Sequence, residues 1–391
     1  MSTRRGPVNV PGAAPGAPDL TWLHLPNGFC AHHFATVKTA RQLKFAPGGD
    51  LFAASPTKAT TGGAGNGVAG IVVLPDDDHD GVADSSNVFQ DNLPAVQGLL
   101  FKNDFLYYQD DAIVRRIAFR PGDRKAVTPS EVVTAMTTWP QDILHWPKVF
   151  DTAQDGTMYI SNGGAQSDPC DPTGPVRGAI VKLNADGSTS NVAKGFRNPI
   201  AIGCESSHNV CLVAELALDY SENFAGREKI VPIRPGDDWG YPCCATQNTP
   251  YIGVTYGRGQ TPDCSGVAAE TASFVIGHTP FGLDFETGRW PAPWRGRVFV
   301  TLHGDYSTWA GARVVAIALD PNTGLPLPAT ELPGTRSDPA NLLEFATGWD
   351  NGRMDHGRPA PVAFAPDGRL FLGDDQRGAV IWIAPAGLMI P

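Results

Sequence analysis

The chain has 391 residues, 42% of them apolar, with 44 Gly, 35 Pro and a formal net charge of −10. That apolar share excludes a disordered chain, the acidic balance excludes a phosphate-gripping face, and no apolar run approaches the ~20 residues of a membrane-spanning helix. So much Gly and Pro suits short strands joined by turns, and a single domain of this length has to be a barrel or a propeller.

Met1 to Pro18 carries two arginines but lacks the apolar core of a signal peptide, and is expected to be a disordered leader (1–18) before one domain over 19–391. From there a short apolar strand, a turn rich in Gly, Asp or Asn, and a second apolar strand recur six times. The copies are Leu43–Phe52, Leu99–Tyr107, Val149–Tyr159, Ile200–Leu212, Leu283–Phe285 with Arg297–Val300, and Val362–Phe371. The first four are spaced about 50 residues apart, close to the length of a four-stranded propeller blade. Ala69–Leu74, Ala112–Phe119, Ala179–Leu183 and Val314–Leu319 read as further strands of these units. The longer final intervals imply loop insertions over 214–275 and 320–357. Ala379–Ala384 is expected to pair with a strand near Trp22–Phe34, closing the ring and removing exposed edges. The expected fold is all-β, a six-bladed β-propeller; a pair of β-sandwiches with coincidental turns is the competing arrangement.

In a propeller the first strand of each blade lines the central channel, so residues at its start converge on one mouth. Those positions hold Arg41 and Gln42, Gln97, His145, Arg197 and Asn198, His278 and Arg358. Small turn residues would be the bland expectation; a ring of Gln, His, Arg and Asn supplies donors for an anionic, oxygen-rich ligand. His145 is the candidate general base, with Asp142 near enough in sequence to orient it, and Arg197 a donor to developing negative charge. A histidine in a β-protein is often structural and an arginine often a plain ion pair, and both readings stay open here.

Asp76, Asp78, Asp80 and Asp84 occupy positions 1, 3, 5 and 9 of a calcium-loop pattern with Gly81 at position 6, although position 12 is Asn87, not Glu. A solvated acidic turn is the alternative. Among the seven cysteines, Cys204 and Cys211 flank a hairpin turn, while Cys170, Cys243, Cys244 and Cys264 fall in or near long loops. No C-x₂-C metal spacing is present. Disulfides are therefore expected, with Cys30 as the odd thiol, and with them a periplasmic or extracellular location.

Gly195-Phe-Arg-Asn-Pro199 and Arg234-Pro-Gly-Asp-Asp-Trp-Gly-Tyr-Pro242 resemble a motif pair of the soluble quinoprotein sugar dehydrogenases. His278–Phe285, Arg295–Gly304, Gly348-Trp349, Gly357-Arg-Pro and Ala365–Asp375 resemble the sorbosone and pyranose dehydrogenase branch. The resemblance spans most of residues 25–385. It implies a six-bladed propeller holding pyrroloquinoline quinone (PQQ) and calcium, in which a histidine takes the hydroxyl proton of a sugar-like substrate while hydride passes to the quinone. His145 and Arg197 would then be catalytic, and Gln97, Asn198, His278, Arg313 and Arg358 would bind the cofactor, Arg313 standing where many members carry lysine. In the cation stretch Glu228 is kept but its neighbouring acid and Asn are replaced, in Gly226-Arg-Glu-Lys-Ile230. Without a C-x-x-C-H haem motif the electron acceptor is a separate molecule. A metal-dependent hydrolase or lactonase, which needs acids and Asn at the channel mouth, and a ligand-binding propeller without cofactor chemistry stand as alternatives.

Overall fold

The computed structural model describes residues 16–58, 65–136, 145–164, 170, 178–217, 226–251, 262–332 and 341–388, and the backbone of 6–7 and 389–390. Most of the leader and the orienting Asp142 lie outside these residues. Among the described residues there is no helix, and six antiparallel sheets of four or five strands account for the body of the fold.

Blade 1 runs through Gln42–Phe45, Leu51–Ser55, Gly70–Leu74 and Asn87–Gln90; blade 2 through Leu99–Lys102, Phe105–Asp110, Ile113–Ala118 and Glu131–Ala135. Blade 3 comprises Phe150–Thr152, Met158–Asn162, Ala179–Leu183 and Thr189–Lys194. Blade 4 is Asn198–Glu205, Val210–Leu216, Glu228–Pro232 and Ala272–Phe274; blade 5 is Pro280–Phe285, Val298–Leu302, Arg313–Ile317 and Leu342–Ala346. Blade 6 combines Pro359–Phe364, Leu370–Asp374 and Ala379–Pro385 with Phe29–Thr36 from the start of the domain. The ring closure expected from the sequence is therefore present, and the six-bladed propeller replaces the sandwich alternative.

The second and third strands of a blade are covered on both faces by neighbouring blades. Continuous apolar runs result, and Leu51–Ser55, Gly70–Leu74 and Val298–Leu302 are buried at every position. The largest core cluster joins blades 5, 6 and 1 around Trp290, Phe345 and Trp382. Trp290 and Trp382 donate their indole N–H groups to the carbonyls of Gly368 and Gly81, both at 2.8 Å.

The first strands touch one another in a closed ring. Short polar side chains stitch them across blade boundaries: Gln42 Oε1 accepts from Leu99 N–H at 2.9 Å, Asp151 from Cys204 N–H at 3.2 Å, and Asp284 from Phe364 N–H at 2.7 Å. Because each first strand begins at the mouth, second strands end there and third strands begin there. This alternation decides which loops face the site.

The two insertions are structured where described. Ala329–Thr330, from the later one, adds a parallel fifth strand to blade 4 beside Ala272–Phe274. The earlier one is held by disulfides Cys170–Cys243 and Cys244–Cys264, and Cys204–Cys211 joins directly opposed residues of blade 4. Cys30 is the unpaired thiol. A disulfide closing 20 residues is worth about 3 kcal/mol by loop-closure entropy, and one closing 73 residues more. Reduction with a thiol is accordingly expected to lower the thermal midpoint, measured by circular dichroism; an unchanged midpoint would contradict it.

Candidate active site

Of the polar side chains expected at the mouth, Arg41, Gln97, His145, Arg197, Asn198 and Arg358 are buried there and Gln42 and His278 half-buried, and a run of hydrogen bonds and backbone links most of them. His145 donates Nδ1–H to the Gly164 carbonyl at 2.6 Å, which makes Nε2 the basic nitrogen of the neutral ring. Gly164 N–H in turn donates to the Arg197 carbonyl at 2.8 Å, so His145 and Arg197 stand on either side of one residue. A side chain at Gly163 is excluded, since its Cβ would lie 2.6 Å from the His145 Cβ. Gln109, at the end of the second strand of blade 2, clamps the same segment, donating to the Trp146 carbonyl at 2.9 Å and accepting from Lys148 N–H at 3.0 Å.

From Arg197 the rim continues through blade 4. Nη1 donates to the Ala217 carbonyl at 2.8 Å, and the Arg197 N–H to Glu215 Oε1 at 2.6 Å. Glu228 then bridges two loops, accepting from Ala217 N–H at 3.2 Å and Gly277 N–H at 3.1 Å. Beyond Gly277, His278 donates Nδ1–H to Glu331 at 2.7 Å, and the other oxygen of Glu331 accepts from Arg313 at 2.5 Å. Glu331 follows the strand that the later insertion adds to blade 4, which is how that insertion reaches the site.

The last arc spans blades 5, 6 and 1. Gly304 N–H donates to the His278 carbonyl at 3.0 Å, and Arg358 donates to the carbonyls of His303, at 2.9 Å, and Gly304. His303 donates Nε2–H to Asp375 at 3.0 Å, and Arg41 forms an ion pair with the second oxygen of the same carboxylate. The Arg41 guanidinium lies 4.3 Å from the centre of the Phe281 ring. Arg41 and Gln97 line the narrow central channel, a space of about 50 Å³ bounded by strands of the blades around it. Gln97 donates to the Ile200 carbonyl at 3.4 Å, and its buried Oε1 accepts no hydrogen bond from the described residues.

Burial dominates the electrostatics here. It pulls His303 down to about 4, with Arg358 adding to the effect, so the ring is neutral at pH 7. Asp375 is held below the carboxylate range against its own burial by the cationic groups around it. Burial lowers Arg358 to about 10 and Lys148 to about 8, and raises Asp374 to about 7. Glu215 is raised and Lys229 lowered, again by burial.

Asn198 is the first residue of its strand and is buried. The expected metal ligands separate into two places. Asp76, Asp78 and Asp80 bring carboxylate oxygens within 4.8 Å of one another. Their loop follows a third strand, however, and so lies on the face opposite the mouth. Asp84 is not in that group; it accepts from Asp77 N–H at 2.6 Å, because its carboxylate folds back to close the loop. Glu228 belongs to the mouth, where both its oxygens are engaged by backbone N–H groups.

Four partners in the rim were not anticipated: Glu215, His303, Glu331 and Asp375. Glu215, His303 and Asp375 lie at or just beyond the ends of second strands, level with the starts of the first strands; Pro280 is opposite Leu302, and Pro359 opposite Asp374. Reading strand ends along with strand starts would have found them.

A protein-family model described as "Domain of unknown function (DUF7133)" matches residues 18–214, half of the chain. The chain belongs to this family. No curated protein sequence matches this DUF7133 member. Its fold is shared by the PQQ domain of Coprinopsis cinerea pyranose dehydrogenase in its holo form, 17% identical, with a TM-score of 0.72 over 95% of this chain and 99% of that one. A calcium structure of Trichoderma reesei carbohydrate-active enzyme family AA12 is 17% identical, with a TM-score of 0.70 over 93% and 97%. PQQ-bound aldose sugar dehydrogenase from Streptomyces coelicolor is 16% identical, with a TM-score of 0.57 over 92% and 100%.

The neutral, buried His303 has a consequence for stability. Between its ordinary value and about 4, the unfolded chain binds a proton that the folded chain refuses, so stability falls as pH drops through that window. Replacing His303 by Gln keeps a donor for Asp375 and removes the titration. The thermal midpoint of His303→Gln is expected to depend less on pH between about 6.5 and 4 than that of the parent; identical slopes would assign the acid sensitivity elsewhere.

Proposed function

We propose that this DUF7133 protein is a quinoprotein dehydrogenase that oxidises an alcohol or aldehyde group of a sugar-like substrate. The observation that carries the reading is the continuous rim from His145 through Arg197 and Arg358 to Arg41, on a fold shared with PQQ-dependent sugar dehydrogenases. The donor set suits PQQ. Its carboxylates and quinone oxygens call for guanidinium and amide donors, supplied by Arg197, Asn198 and Arg358. The buried Gln97 Oε1, which accepts nothing from the described residues, offers an acceptor. His278 and Arg313 are already joined through Glu331, so their contribution is a fixed, hydrogen-bonded wall. The calcium part of the family pattern fits less well, because the N–H groups on Glu228 do the work a cation would do.

Bound there, PQQ would supply the hydride acceptor. The chain's own part is to take the hydroxyl proton at His145 Nε2, the Gly164 carbonyl holding the ring in the tautomer that can accept it. Arg197 is fixed by the Ala217 carbonyl so that it can face negative charge as it develops. The three disulfides agree with folding in an oxidising compartment, periplasmic or extracellular, and electrons would leave to a separate acceptor.

Adding PQQ to the purified protein is expected to raise the thermal midpoint and produce sugar-dependent dye reduction. His145→Ala should abolish turnover, by at least about a hundredfold, while the PQQ-induced shift persists. Absence of any shift, or equal loss of both, would overturn the assignment. On the opposite face, the Asp76–Asp80 loop reads as a calcium site, because Asp76 Oδ2 is buried without a hydrogen bond, its nearest cation being Arg369 at 3.8 Å. Calcium should raise the midpoint relative to chelator, and Asp78→Asn with Asp80→Asn should erase that difference; a persistent difference would place the ion elsewhere.

A further inference from the structure

A cavity of about 600 Å³ opens beside blade 6, walled on one side by residues 18–22 and on the other by Leu372, Asp374, Arg377 and Ile381. It lies at the mouth end of the propeller, since its walls include the end of the second strand of blade 6 at Asp374, the start of the third at Ala379, and the end of Phe29–Thr36. The volume is that of a small-molecule site.

Three rings form the aromatic part of the wall. Trp22 stacks on His356 with centroids 4.4 Å apart and planes 6° apart, and Trp349 meets Trp22 edge-on at 5.3 Å. Packing of Trp22 depends on Gly348, where a Cβ would come within 2.3 Å of the Trp22 carbonyl oxygen. A backbone bridge between His24 and Thr347 fixes the segment against blade 5. Leu20, Leu372 and Ile381 extend the apolar surface. Against it stand three carboxyl groups, Asp19, Asp355 and Asp374, and a single cation, Arg377.

That mixture selects a ligand class. Excess carboxylate repels anions and favours groups that donate hydrogen bonds. A wholly apolar ligand would strip water from carboxyl groups whose partners within the chain, Thr21 on Asp19, Asn351 on Asp355 and backbone N–H groups on Asp374, leave lone pairs unfilled. A sugar ring meets both conditions, with an apolar C–H face for the aromatic wall and a rim of hydroxyl donors for the carboxyl oxygens. We infer that this cavity is a second binding site that takes the ring of a neutral saccharide.

The site is tied to the rim. Asp374 Oδ1 accepts from the backbone N–H groups of Arg358 at 3.1 Å, Gln376 at 2.8 Å and Arg377 at 3.0 Å, so one carboxyl group both lines the cavity and holds Arg358 in place. A sugar seated here would stand beside the proposed reaction centre without entering it. The inference rests on the proposed function only for the class of ligand, and it is measurable without cofactor.

Cellobiose and glucose are titrated into the cofactor-free full-length protein and followed by calorimetry and tryptophan fluorescence. Saturable binding of at least one sugar is expected. Trp22→Ala should weaken it by about tenfold or more, and Ala379→Trp, which fills the cavity, should do the same. Should Trp22→Ala fail to fold, Ala379→Trp decides alone. No saturable binding, or unchanged affinity in Ala379→Trp, overturns the inference. The two readings fail separately: binding without PQQ-dependent turnover sinks only the dehydrogenase, and turnover without saccharide binding sinks only the second site.

Discussion

Charge buried in a protein persists only where a neighbouring group answers it, and the mouth of this propeller is organised around that constraint. Arg41, Arg313 and Arg358 are almost wholly removed from solvent. Arg41 is answered by Asp375 and Arg313 by Glu331, while Arg358 is answered by the carbonyls of His303 and Gly304. Removing one partner would leave the other charged and stranded. The pairs also fix side chains that would otherwise have many rotamers, and each pair joins different strands or blades. What stabilises the top of the ring is therefore also what fixes the orientation of its donors.

The same arrangement separates the groups that hold the mouth together from those the proposed reaction would use. Glu228, Glu331 and Asp375 are occupied by N–H groups and cations of the chain itself. His145 is held by a carbonyl, which orients the ring. Gln97 offers an unanswered oxygen at the channel. Those two residues come from blades 2 and 3, whereas the dense ion pairs belong to blades 4, 5, 6 and 1.

Much of this was legible in the sequence. The repeating pair of strands around a Gly- or Asp-rich turn marks the blades because both faces of each blade are buried, and the polar residues at the first-strand starts stand out against that apolar run. His145, Arg197 and Arg358 were found in this way. Their carboxylate partners were harder to see: Glu331 lies in an insertion without periodicity, and His303 and Asp375 sit at strand ends whose level in space depends on register, not on spacing along the chain. The calcium-loop pattern was visible, but its face was not, because that depends on which strand of the blade precedes it. Glu228 and the aspartates were grouped by chemistry, and only the alternation of strand direction separates them.

Blade 6 has a temporal consequence. Its outermost strand, Phe29–Thr36, pairs with Ala379–Pro385, so residues some 350 positions apart have to meet, at the loop-closure cost that makes such pairings slow. The cavity beside that blade is walled by segments from both sides of this seam, as is the ion pair between Arg41 and Asp375. Blades 1 to 5 each take their four main strands from one stretch of chain, whereas the completed rim and the cavity both require this distant pairing. Both proposed sites therefore exist only once the ring has closed.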